Sequence, residues 1–185
     1  MSANTFFDAV KTRRSVYALA KKSPVSDARI QEIVTEAVKH APSAFNSQSA
    51  RAVILLGGNH DALWDQTLEI LRSLVKDPEA IKQTEGRIAA FKGAYGTVLF
   101  FEDQAVVKGL QEQGMLQYVV WAAFATEGLG ANLQHYSPLI DEWVAKKTGV
   151  PASWKLVAQM PFGAPVAPAG EKAFSPIDQR VLVLN

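Results

Sequence analysis

Three consecutive residues, Arg13-Arg14-Ser15, set two guanidinium forks beside a hydroxyl, an arrangement suited to gripping a phosphate through paired N–H···O bonds. Cations at the end of a helix also complement its dipole, and the triplet alone reads more readily as helix-end decoration. A second polar group lies in the turn-rich stretch 41–49, where Ser43, Asn46 and Gln48 carry side chains that both donate and accept. Such groups can read the edge of a heteroaromatic ring or a sugar chain, although alone they are ordinary turn chemistry. His135, next to Gln134, follows the break at Gly128-Leu129-Gly130, where an ending strand exposes backbone N–H groups. No acidic partner for it can be assigned, so no catalytic side chain is named and His135 stands only as a candidate contributor.

Other chemistries are removed by composition. The chain has no cysteine, which excludes disulfides, thiolate nucleophiles and Cys-ligated metals. Its three histidines, His40, His60 and His135, fall at no zinc-binding spacing, and no metal site is expected. With 19 basic and 18 acidic residues the net charge is +1, so no electrostatic excess marks a nucleic-acid or anionic-membrane binder. No basic start followed by an apolar run resembles a signal peptide, and no apolar run approaches the ~20 residues of a membrane span; a cytoplasmic protein is expected. Neither a Walker loop nor a G-x-G-x-x-G fingerprint is present. At 185 residues, 48% hydrophobic and 20% charged, the chain is expected to fold as one domain.

The elements that must position these groups follow from periodicity. A first helix, capped by Asn4, runs to about Arg13 and carries Phe6, Phe7, Ala9 and Val10. Ser26 caps a second, with Ile30, Ile33, Val34, Ala37 and Val38 at i, i+3, i+4, i+7 and i+8. The polar stretch 41–49 then feeds a strand over 52–56, closed by Gly57-Gly58. Helices are expected over 60–75 and after Asp77-Pro78, and strands over 97–101 and 155–160. Residues 113–128 are apolar nearly all round, which predicts a central buried helix. Residues 131–136 read as extended, and Pro138 leads into a helix near 139–148. Trp64, Trp121, Trp143 and Trp154 sit at apolar positions and read as core or interface. The last part, about 165–185, is Pro-rich with an apolar end at 181–184, which predicts an extended arm lying on another surface.

Taken in order, these pieces resemble the nitroreductase family of FMN-dependent flavoproteins. The resemblance rests on Arg13-Arg14-Ser15 after a short helix and on Ala41-Pro42-Ser43-Ala44-Phe45-Asn46-Ser47-Gln48 before a strand. It continues through the long apolar helix ending in Gly128-Leu129-Gly130 to Gly163 and a tail with Lys172 and Pro176, nearly the whole chain. The stretches 96–103 and 128–136 are similar to a small subgroup of that family, typified by the yeast fatty-acid-repression mutant protein and its bacterial relatives.

The resemblance implies an α+β fold, with a central, mostly antiparallel sheet flanked by helices, and an intertwined homodimer with two FMN sites at the subunit interface. The C-terminal arm would add a strand to the partner's sheet. By position, Arg13, Arg14 and Ser15 would hold the phosphate and ribityl chain, with Lys172 approaching from the tail. Asn46 and Gln48 would address the isoalloxazine edge or ribityl hydroxyls, and Pro42, Ser43 and Ala44 would meet the flavin from the partner subunit. Leu133, Gln134 and His135 would lie along the ring near N5, acting mainly through their backbone. Tyr17 and Phe174 stand where family members often carry basic residues, which implies a less cationic phosphate pocket. The chain also lacks the long insertion that covers the site in larger members, which implies an open pocket. The activity implied is NAD(P)H-dependent two-electron reduction of flat, electron-poor acceptors such as nitroaromatics and quinones. The alternative is an FMN-binding regulatory or sensing dimer, in lipid or oxidative-stress responses, with incidental turnover.

Overall fold

The structure, a computed structural model, describes residues 3–106, 113–177 and 180–182. In chain order its elements are α1 (Ala3–Thr12), β1 (Leu19–Ala20), α2 (Asp27–His40), β2 (Ala50–Leu56), α3 (Gly57–Leu74), α4 (Pro78–Lys92), β3 (Gly96–Asp103), α5 (Gln113–Thr126), β4 (Gly130–Ala131), α6 (Asp141–Thr148) and β5 (Trp154–Pro165). The strands form one antiparallel sheet in the order β1-β5-β3-β2, with β4 also paired to β5.

The alternation of side chains along β3 divides the interior. Val98 and Phe100 join a core with Ile30, Ile33, Val34 and Ala37 of α2 and Leu116, Val120 and Phe124 of α5. Leu99 and Phe101 face a second core with Leu63 and Trp64 of α3, Ile88 and Phe91 of α4, and Val144 of α6. A strand covered on both faces must be apolar at every position rather than at every second one, which explains the continuous apolar run of β3, buried throughout. The α2 residues that pack here are those whose spacing predicts an amphipathic helix, and Ser26 caps it by accepting from the Arg29 N–H at 3.2 Å.

Four expectations shift in position. β2 ends at Leu56 before the two glycines as expected but starts at Ala50, and those glycines open α3, whose first turn carries His60 to Thr97 and Lys92, where the imidazole bonds at 2.9 and 3.1 Å. The extended stretch 131–136 is a short strand followed by a single bridge, Gln134 to Gln159. The helix expected near 139–148 begins at Asp141. The apolar end 181–184 falls partly outside the described residues, and Val181 and Leu182 are exposed and carry no strand.

The α5 end is set by Gly128 at φ +78°, the left-handed closure glycine permits, with Leu129 N–H reaching back to Phe124 O at 2.9 Å. That turn sends the chain immediately into β4. Among the described residues no helix is long and apolar enough to cross a membrane.

Candidate functional site

Arg13 closes the last turn of α1, its N–H bonding Ala9 O at 3.2 Å, and the chain then extends. Ser15 pairs with Ala131 in a parallel bridge, and the Val16 N–H donates to Ala131 O at 2.9 Å. This brings the Arg13 guanidinium over the indole of Trp121 on α5, 4.5 Å from the ring centroid, a cation–π contact. The Nε of Arg13 and the Nε1 of Trp121 are both buried donors without an acceptor. An unmet buried donor costs about 1–3 kcal/mol, so two in contacting side chains mark a place shaped for an acceptor-rich ligand.

The wall continues along the segment after β4. Asn132, fully buried, donates to Val16 O at 2.9 Å and accepts from the Gln134 side-chain amide at 2.7 Å. The backbones of Gln134 and Gln159 exchange hydrogen bonds of 2.7 and 2.9 Å. The buried Gln159 side chain, opposite Leu99 and so on the face of the second core, accepts from the Tyr136 N–H at 2.8 Å, and its Nε2 is also without an acceptor. Leu133 is half-buried and His135 exposed, so within 133–135 it is Gln134 that the surroundings fix most firmly. Arg87, exposed on α4, acts on the half-buried Tyr136 phenol: burial pushes that phenol's pKa up and the guanidinium charge pulls it back.

Other candidates lie elsewhere. Arg14 turns to the tail and donates to Gly170 O at 2.6 Å. Lys172 is exposed two residues further on, with its ammonium 5.0 Å above the Phe174 ring. Pro42, Ser43, Ala44, Asn46 and Gln48 belong to a loop built on a short 3-10 turn, Ala44–Asn46. The Ser43 hydroxyl accepts from the Gln48 N–H at 3.0 Å, and Ser47 N–H donates to Ala44 O at 3.0 Å. Within one chain this loop packs beside Leu116 at the start of α5, whereas Arg13 packs on Trp121 further along the helix. The two halves of the expected site thus meet α5 at different levels, one in its first turn and one near its middle, about 8 Å apart along it at 1.5 Å per residue.

Trp121, Asn132, Gln159 and Arg87 are the residues here that the spacing argument did not single out as ligands. Gln159 carried the one available signal, a long amide inside an otherwise apolar strand.

The comparisons with known proteins decide the family. The nitroreductase family model matches residues 10–164. The chain belongs to the nitroreductase family. It is 33% identical to nitroreductase FRM2 of Saccharomyces cerevisiae, over 91% of this chain and 92% of that protein. It is similar to nitroreductase CinD from Lactococcus lactis, solved in complex with nicotinic acid, at 43% identity and TM-score 0.87 over 97% of this chain and 100% of that one. A nitroreductase from Desulfitobacterium hafniense with bound FMN shares the fold at 17% identity and TM-score 0.78, over the full length of both chains. Family membership makes the chain an oxidoreductase.

Proposed function

We propose that two copies of this chain bind two FMN molecules and use NAD(P)H to reduce flat, electron-poor acceptors of the nitroaromatic and quinone type. The observation that carries this reading is the pair of buried, unmet donors on the contacting side chains of Arg13 and Trp121, which the phosphate and polyol of the cofactor would satisfy. When bound, FMN would supply hydride chemistry at its N5.

The chain's own residues bind, orient and screen. Arg13 and Ser15 would take the phosphate end, with Arg14 holding the tail that carries Lys172 close by. Trp121 Nε1 offers a hydrogen bond to an acceptor on the polyol or ring. The segment Leu133, Gln134 and His135 would line the ring, braced by the paired amides of Gln134 and Gln159 so that its N–H groups are oriented before any charge develops. No side chain need act as a dedicated acid or base.

The second copy supplies Pro42, Ser43, Ala44, Asn46 and Gln48. One side of α5 is covered by the core through Leu116, Val120 and Phe124, whereas Met115 and Tyr118 on the other side are 48% and 37% exposed. On neighbouring α1, Phe6 and Phe7 are more than half exposed. Apolar surface of this extent on two packed helices calls for a partner. A two-fold axis across α5 would set the loop of one copy beside Arg13 and Gln134 of the other, assembling the two halves of the site. The arm 181–184 would lie along the partner's β2, which ends the sheet and borders a cavity of about 580 Å³ walled by Val34, Val38, Ala52, Ile54 and Leu56. A partner strand laid there would cover an edge otherwise open to aggregation.

The test is the visible spectrum of the purified protein, before and after anaerobic NADPH or NADH, followed by a nitroaromatic. A flavin spectrum that bleaches and then recovers supports the reductase. A flavin spectrum that will not bleach favours the sensing dimer. A colourless protein that takes up no added FMN overturns the reading.

A further inference from the structure

Phe45 has no role in the fold. Its side chain is 99% exposed, the most exposed large apolar residue among the described residues, on a loop otherwise tied down at several points. Its backbone lies in the left-handed region at φ 54°, ψ 24°, as does that of Asn46 at φ 54°, with Gln48 at φ 50°. Glycine or asparagine adopts that conformation readily, whereas a phenylalanine there is strained, and such strain persists only where the surroundings impose it. The imposing bonds are present: Asn46 N–H to Ser43 O at 3.0 Å, Ser47 N–H to Ala44 O at 3.0 Å, Gln48 N–H to the Ser43 hydroxyl at 3.0 Å, and the Arg51 guanidinium to Gln48 O. The loop therefore holds an aromatic ring out in water in a defined pose. The same loop is the one the two-fold reading carries to the partner's Arg13 and Trp121.

From these observations we infer that Phe45 is a specificity-determining residue acting in trans: its ring closes the acceptor site of the partner subunit and selects flat aromatic acceptors by ring-to-ring contact. The inference rests on the FMN-dimer reading above. Offset or edge-on aromatic pairs gain their extra stabilisation only with an aromatic partner, so a compact inorganic acceptor would not sense the ring.

The experiment compares wild type, F45A and F45W by FMN content, by NADPH reduction of the flavin, and by KM for menadione against KM for ferricyanide. F45A is expected to keep its FMN and to raise the ratio of the two KM values about two- to twelvefold, in line with the loss of one aromatic pair, with F45W restoring it. A co-expressed mixed dimer of an F45A subunit and an R13A/R14A subunit then tests the geometry. Its only FMN-competent site lies in the F45A subunit and receives Phe45 from the partner, so it is expected to show the wild-type ratio. A ratio equal to that of the F45A homodimer means the residue acts within its own subunit and overturns the inference. An unchanged ratio in an F45A homodimer that holds and reduces FMN overturns the Phe45 assignment alone. Wild-type protein that takes up no FMN overturns the FMN-dimer reading and this inference together.

Discussion

Arg13→Ala isolates the group on which the proposed cofactor site depends. The guanidinium sits over Trp121 with its Nε buried and unmet, so the chain has already met the cost of desolvating it before any ligand arrives. A phosphate placed there gains a charge-assisted hydrogen bond of about 1.5–3 kcal/mol without a matching desolvation cost on the protein side. Taking about 2–3 kcal/mol for the loss, the FMN dissociation constant rises about 30- to 160-fold. Arg13→Lys keeps the charge but loses the Nε donor and the planar stack on the indole, and should recover only part of that. The assay is quenching of FMN fluorescence on titration with apoprotein, with circular dichroism and sedimentation as controls for fold and assembly. A change below threefold in a folded, normally assembled Arg13→Ala protein would refute the reasoning, because the unmet donors would then have no bearing on the ligand.

Three further outcomes are expected. Thr97→Val keeps the shape of a fully buried side chain but removes an oxygen that accepts from Trp64 Nε1 at 3.0 Å and bonds His60 Nδ1 at 2.9 Å. Two orphaned buried groups should cost about 2–5 kcal/mol, read as a lower urea midpoint at fixed protein concentration; a cost below about 0.5 kcal/mol contradicts the bond network. Burial holds the His60 pKa below its ordinary value, so the unfolded chain binds this proton more tightly than the folded one. The associated stability is complete above about pH 6.5 and is lost as pH falls from there toward the depressed folded value; His60→Gln should flatten that part of the profile, and an unaltered slope contradicts the assignment. Gly163→Ala would set a methyl group 2.5 Å from Ala20 O and 3.0 Å from Tyr95 N, both backbone atoms that cannot swing aside. Prying β1 from β5 should cost about 1–3 kcal/mol in the same urea assay, and a wild-type midpoint would show that the strands separate freely.

Much of the frame was legible because burial leaves a period. The spacing Ile30, Ile33, Val34, Ala37 predicts the face by which α2 packs, and the unbroken apolar run of β3 predicts a strand covered on both sides. The nitroreductase resemblance, read from separated motifs in order, agrees with the family match and with the fold. Less legible was what depends on distant pairing. β1 is two residues long, too short to carry a period, and exists because Pro165 and Ala164 lie opposite it. Arg13 and Trp121 meet only when α1 docks on α5, so the indole reads as core until the guanidinium over it and its unmet N–H are seen. Gln159 shows in the sequence only as a polar break in an apolar strand, and it is strand pairing that buries it. Arg14, adjacent to Arg13 and equivalent by type, serves the tail instead, a division of labour that adjacency cannot reveal.

β5 pairs with β1, β3 and β4, and its Gln159 also clasps Gln134. Opening the segment 130–134 therefore requires loosening the strand that ties most of the sheet together, so its amide protons should exchange with solvent only at close to the free energy of global unfolding. A surface this slow to open meets each new occupant already in shape and spends no ordering entropy on it, which suits a site where two different molecules must take turns. On the proposed two-subunit site, variation in what is accepted would fall to the partner's loop, and drift in substrate range among relatives should be written in residues 42–48 long before it reaches β5.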